Sequence, residues 1–231
     1  MGDYTYDSFI KYVKFRMGQR TDLSSVDSED LYGTWVNAAY KMLTSKNVIF
    51  GIKGFHKSFY FPELETYDDS QSTVAGTTHI DIPSDALIIR DVEDTTNDRL
   101  LTPISWLEYK NYPNRATTSA RSEPTEYVRR GTYIYLHPTP DDVYAMTIDH
   151  RKKITVDISG DTTTEIGNEW DMPIVQLGTY IGLMWMEEFD KAQIVKEEFK
   201  ETVADILGIY FQEELGREKH LGLDPAYKRK Q

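Results

Sequence analysis

The stretch Trp170-Asp171-Met172-Pro173-Ile174-Val175-Gln176-Leu177-Gly178-Thr179-Tyr180-Ile181-Gly182-Leu183-Met184-Trp185 decides the fold class. Trp170, Ile174, Leu177, Ile181, Met184 and Trp185 recur at helical spacing, and Met172, Val175, Leu183 and Met186 make the other faces apolar too. A helix apolar nearly all round belongs inside a protein, with other helices around it. Asp171 stands at a cap position and Pro173 in the first turn, where its missing N–H costs nothing. Trp170 and Trp185 are expected to anchor the core.

Helices extend from this stretch in both directions. After the charged corner Glu187-Glu188-Phe189-Asp190, residues Ala192, Val195, Phe199, Val203, Ile206 and Tyr210 form one face of a further helix. Lys196, Glu197, Lys200 and Glu201 form the other, and the helix is expected to end near Gly216. At the opposite end of the chain, Tyr6, Phe9, Ile10, Val13 and Met17 share a face that Gly18 closes. A second amino-terminal helix carries Leu31, Trp35, Ala38, Ala39 and Met42 on its apolar face, with Asp27 or Ser28 as cap.

The middle of the chain differs. It holds seven of the nine prolines and many Thr, Tyr, Val and Ile, a composition that favours short strands. His79-Ile80-Asp81-Ile82 alternates up to Pro83, and Leu87 to Val92 reads as a buried strand. Glu126–Arg129 and Thr132–His137 read as two arms around Arg130-Gly131. Tyr144, Met146 and Ile148 resume alternation after the turn signal Pro138 to Asp142. These strands predict a small antiparallel meander. Asn111–Glu123 and Asp157–Asn168 read as polar loops, and Trp106 as a cap on the edge of the strands.

The expected plan is α+β, mainly α: a four-helix bundle from both chain ends, an inserted small antiparallel β domain, and an extended C-terminal tail. Its boundaries are 1–54 for the amino-terminal helices, 55–167 for the β-rich insert, 168–216 for the helical hairpin and 217–231 for the arm. That arm carries Arg217, Lys219, His220, Tyr227, Lys228, Arg229 and Lys230 in a protein of net charge −12. It reads either as a frayed, solvated terminus or as an extension that orders on a partner subunit, its tyrosine stacking while its cations meet acidic groups.

Composition narrows the chemistry. The absence of cysteine removes disulfides, thiol nucleophiles and thiolate metal sites. The acidic balance disfavours extended contact with a phosphate backbone. No apolar run reaches the roughly 18–20 residues that span a bilayer, and the acidic amino terminus is unlike a signal peptide. No two of the five histidines stand three or four apart, so no helix presents a paired metal site. His137 and His150 read as half-exposed strand residues on paired strands. The run Asp91-Val92-Glu93-Asp94 with Asn97-Asp98 lacks calcium-loop spacing and reads as an acidic surface loop. Asp68-Asp69 and Asp141-Asp142 read as turn residues. No nucleophile elbow or nucleotide loop is present. The expectation is a protein that is not an enzyme and takes neither metal nor cofactor. The alternatives are a neck or tail-tip module binding receptor glycans through aromatics such as Trp106, and a carboxylate-based hydrolase.

Several phrases, in order, resemble the tailed-bacteriophage head-to-tail adaptor (connector, or head completion) family. They are Trp35-Val36-Asn37-Ala38-Ala39, then Ile80-Asp81-Ile82-Pro83-Ser84-Asp85, then Pro103-Ile104-Ser105-Trp106-Leu107-Glu108-Tyr109. Pro124-Thr125-Glu126-Tyr127 follows and leads to Tyr133-Ile134-Tyr135-Leu136-His137-Pro138-Thr139-Pro140-Asp141. Ile148–Lys153 and Ile166–Trp170 complete the set. The resemblance covers roughly residues 28–210. It implies a structural virion protein of the neck, assembled in the host cytoplasm as a ring commonly of twelve copies. The implied partners are the portal protein, neighbouring copies and a tail, tail-completion or nozzle protein. Genomic DNA would pass through the lumen without specific binding, and no membrane is involved. The segment Arg217–Lys230 is then a portal-docking arm, and the loop Asn111–Glu123 faces neighbours or tail components.

Overall fold

The computed structural model describes residues 3–20, 30–45, 61–112 and 121–221, with side chains described as far as residue 208. The fold is α+β. The chain divides into two compact units: residues 3–20, 30–43 and 157–221 form one, and residues 44–45, 61–112 and 121–156 the other.

The first unit is built from four helices: α1 (Tyr6–Arg16), α2 (Leu31–Thr44), α4 (Asp171–Trp185) and α5 (Phe189–Leu221). Helix α1 starts at Thr5, whose hydroxyl accepts from the Ser8 N–H, and ends where Gly18 takes φ +77°. Phe9, Val13 and Met17 are its buried stripe. Helix α2 is capped by Asp30, whose Oδ1 accepts from the Gly33 N–H at 3.2 Å; Asp27 and Ser28 lie outside the described residues. Its buried stripe is Tyr32, Trp35, Val36, Ala39, Tyr40 and Leu43. The expected face is therefore rotated, and Leu31, Ala38 and Met42 are only half-buried. Tyr32 and Tyr40 explain the rotation, because a tyrosine buries its ring while its hydroxyl finds a partner. Tyr32 donates to the Arg20 carbonyl at 2.7 Å, and Tyr40 accepts from the Glu165 N–H at 2.9 Å.

Helix α4 contacts α1, α2 and α5. Ten of its residues are buried, from Asp171 to Leu183. Glycines make the close approach possible: a Cβ at Gly182 would lie 2.7 Å from the Trp35 ring. The Asp171 carboxylate accepts from the backbone N–H groups of Asp3 and Tyr4 at 2.8 and 2.9 Å, tying the start of the chain to the start of α4. Across the hairpin, Gln176 donates to the Thr202 hydroxyl at 2.9 Å. Trp170 is buried at 1% exposure, whereas Trp185 is 56% exposed. Only the first of the two expected anchors is in the core; the Trp185 ring touches that of Trp35 at 5.8 Å but stays largely at the surface. Segment 157–168, expected as a polar loop, is in fact anchored. Asn37 exchanges two hydrogen bonds with the Ile158 backbone, and Ile158, Thr164 and Ile166 are buried.

The second unit has β1 (Glu65–Ser72), β2 (His79–Asp81), β3 (Ala86–Asp94), β4 (Arg99–Leu100), β5 (Thr102–Pro103), helix α3 (Trp106–Asn111), β6 (Glu126–Arg130), β7 (Tyr133–His137) and β8 (Ala145–Lys152). They form two four-stranded sheets, ordered β1-β8-β3-β4 and β2-β7-β6-β5, in place of one meander. Strand β5 pairs with β6 in parallel; the other pairs are antiparallel. Gly131, at φ +63°, turns β6 into β7. Both sheets feed one core: Ile80, Ile134, Leu136 and Tyr127 from one, Val92, Met146 and Ile148 from the other, with Leu101 between β4 and β5. At roughly 1.5–3 kcal/mol for each fully buried large apolar side chain, this cluster is the unit's main stabilising term. Strand β3 buries only its far end, Val92 and Asp94, and the run from Leu87 to Ile89 is half-buried.

Candidate functional site

The most organised surface lies where α3 meets β7. Helix α3 was not anticipated as an element. Its signal is Ser105-x-x-Glu108, a capping box. The Glu108 N–H donates to the Ser105 hydroxyl at 3.2 Å, and the Ser105 N–H donates to the Glu108 carboxylate at 2.7 Å. These bonds hold the Glu108 carboxyl below the usual carboxylate range. Alternation along β7 sends Ile134 and Leu136 into the core and places Tyr133, Tyr135 and His137 on the other face. There the rings form a chain. His79 meets Tyr133 at 4.4 Å, Trp106 meets Tyr135 and Tyr109 at 5.2 Å each, and Tyr112 stacks on His137 at 3.8 Å. The Arg130 guanidinium sits 4.0 Å from the Trp106 ring. Trp106 is thus engaged by a cation and two tyrosines, which leaves it poorly suited as a sugar platform.

This surface also holds the feet of the loop expected at Asn111–Glu123. Asn111 closes α3, and residues 113–120 lie outside the described residues. One foot is Tyr112 on His137. The other is Arg121, which bridges to Thr139, with the Ser122 N–H donating to the Thr139 carbonyl at 3.0 Å. Both feet therefore stand on the same three-residue stretch, residues 137–139, at the end of β7. The Arg121 guanidinium covers Gly76, where a Cβ would come within 2.7 Å of it, and Gly76 itself takes φ +80°. Arg99 pairs with Glu123 at 2.9 Å. Burial holds the His137 imidazole below its ordinary 6.5, partly offset by the Glu126 carboxylate. A hydrogen bond to the same carboxylate pushes the Tyr112 hydroxyl up.

The expected docking arm divides between two settings. Helix α5 continues through Gly216 to Leu221, so Arg217, Lys219 and His220 are on helical backbone, and the helix does not end at Gly216. A single glycine costs about 1 kcal/mol relative to alanine, which the surrounding good helix formers offset. Tyr227, Lys228, Arg229 and Lys230 lie outside the described residues.

The remaining candidates are structural. His137 and His150 are on different sheets and do not pair. His150 is buried, with Nε2 3.2 Å from Asp85 and Nδ1 3.1 Å from the Ile148 carbonyl. Asp94 is also buried, against the expected surface loop. It accepts from the N–H groups of Thr96 and Asn97 and from the Asn97 amide, which makes it the organiser of the turn after β3. Asp68 does similar work at the bulge in β1. Burial alone would raise its carboxyl, but bonds from Ser70 and Gln71 bring it below its ordinary value. Among the described residues, no three metal-binding side chains converge and no helix is long and apolar enough to cross a membrane.

Comparison with known families gives a match over residues 4–218 to the family described as SU10 adaptor protein. That span includes both units and nearly all of α5. No curated protein matches the chain.

Proposed function

The chain belongs to the SU10 adaptor family, structural head-to-tail adaptor proteins of phages, and on that premise we propose that it is one subunit of an oligomeric ring that joins the portal to the tail and continues the DNA channel. The observation that carries this reading is the length of the family match, which takes in all the described elements except the first residues and the last turn of α5. The family implies association with portal and tail proteins in the phage neck. Ring formation, commonly with twelve copies, follows from the same resemblance.

Within that reading each part has a task. The helices of residues 1–54 and 168–216 make a four-helix bundle that forms the body of the ring. The support is that α1, α2 and α5 each bury a stripe in the unit centred on α4. The β-rich insert, 55–167, would present its loops, including the one expected at Asn111–Glu123, to neighbouring subunits or tail components. The carboxy-terminal segment 217–231 docks on the portal, its cations meeting acidic groups there. A net charge of −12 lets DNA pass without sticking, since an acidic wall releases no counterions from the phosphate backbone.

The test is co-assembly with the portal, followed by native mass measurement. Full-length protein is expected to form a ring on the portal. Deletion of residues 217–231 is expected to abolish docking while the helical circular dichroism of the bundle persists. Normal docking by the truncated chain would refute the arm. Failure of the full-length chain to engage any portal would refute the docking role itself.

A further inference from the structure

Helix α1 turns an unusual face outward. On the side opposite Val13, Phe15 is 69% exposed and Tyr12 41%. With Ile10 they line an open groove of about 650 Å³ flanked by Lys11 and Lys14. Large apolar side chains clustered on a surface mark contact sites rather than random exposure. Helix α5 has a face of the opposite sign. On the side away from Phe199, Ile194 is 63% exposed among Asp190, Glu197 and Glu201. Phe189, five residues earlier at the start of the helix, is 57% exposed.

We propose that the groove on α1 receives the Ile194 ridge of α5 from a second copy of this chain. This rests on the ring reading above and identifies the surfaces that would make the ring. Each face has an apolar centre and a charged border, and the borders are complementary: lysines around Phe15, carboxylates around Ile194. The chain already uses this pairing internally, where Arg16 on α1 forms an ion pair with Glu198 on α5. Two different faces of one subunit that fit each other make a head-to-tail contact, and such a contact generates a ring when the rotation closes. The apolar centres supply the contact area, while the charges set register and exclude like-to-like pairing, since lysine would face lysine. Asp7 beside the groove and Lys200 beside Glu197 temper the contrast without reversing it.

The absence of cysteine permits a clean test on the full-length chain. One preparation carries Phe15→Cys and a second Ile194→Cys; they are mixed under conditions of assembly, with portal present, and oxidised. Mixed disulfide dimers are expected to exceed like-with-like dimers severalfold. Adding Lys11→Glu and Lys14→Glu to the first chain should remove most of that yield. Adding Glu197→Lys and Glu201→Lys to the second should then restore it, which no folding defect would do. Assembly accompanied only by like-with-like disulfides, or by none, overturns the proposed surface and leaves the ring intact. A wild-type chain that remains a single copy at every concentration, with or without portal, overturns the ring and the surface together.

Discussion

Helices α4 and α5 are consecutive arms of one hairpin, but α4 is buried on almost every side and α5 along one stripe. In α4 even Gln176 and Thr179 are buried, each with a hydrogen-bond partner, and two glycines let neighbouring helices approach. In α5 the buried set Ala192, Val195, Phe199, Val203 and Ile206 repeats at three and four residues, with charges and Ile194 on the far side. The interior arm leaves only Met172, Met184 and Trp185 as large apolar side chains at the surface. The exterior arm satisfies its own unit with half its circumference and leaves the other half for contact. On the proposed interface, stability and assembly are divided between two helices that adjoin in sequence.

Substitutions can break this division. Ile174→Ala on α4 should have the largest effect, a loss of about 2–5 kcal/mol in urea denaturation, because the site is enclosed and cannot collapse freely. Gly182→Ala should cost about 1–3 kcal/mol, since the new methyl group meets the Trp35 ring and the Met17 methyl. Asp171 tests the same enclosure through pH. Burial raises its carboxyl above the ordinary 3.8. The folded state therefore binds its proton more tightly than the unfolded chain, and this group's contribution to stability falls as pH rises from 3.8 through the raised value. Asp171→Asn should flatten that part of the stability profile, above pH 3.8. Ile194→Ala on α5 should change the stability of the single chain by no more than about 0.5 kcal/mol. If it costs as much as Ile174→Ala, then Ile194 is a core residue and the outer face of α5 is not a contact surface.

The same contrast explains what could be read in the sequence. The stripe of α5 was legible residue by residue because periodicity reports burial directly when only one face is covered. The alternation of β7 was legible for the same reason. The uniform apolarity of α4 announces an interior helix but says little about which residues face which neighbour, so spacing alone makes a core anchor of Trp185, which the fold leaves exposed. The face of α2 was read in the wrong rotation because its tyrosines are buried by hydrogen bonds to Arg20 and Glu165, partners far away in sequence. Helix α3 was missed although Ser105 and Glu108 announce it; six residues are too few for a periodic signal. The docking arm was visible as a run of cations, but Gly216 did not stop the helix before it.

By itself, the sequence determined the positions of helices α1, α2, α4 and α5 and of strands β2, β3, β6, β7 and β8, the apolar stripes of α1 and α5, the turn at Gly131 and the lack of cysteine chemistry. These follow from local rules of spacing, turn geometry and residue type. The tertiary structure decided that the strands form two sheets around one core, with β5 parallel to β6. It decided that His137 and His150 stand apart, that Tyr112 and Arg121 both meet one stretch at the end of β7, and that Phe15 and Ile194 remain outside. Each of those outcomes depends on which surfaces meet across long separations in the chain, and no local pattern encodes that.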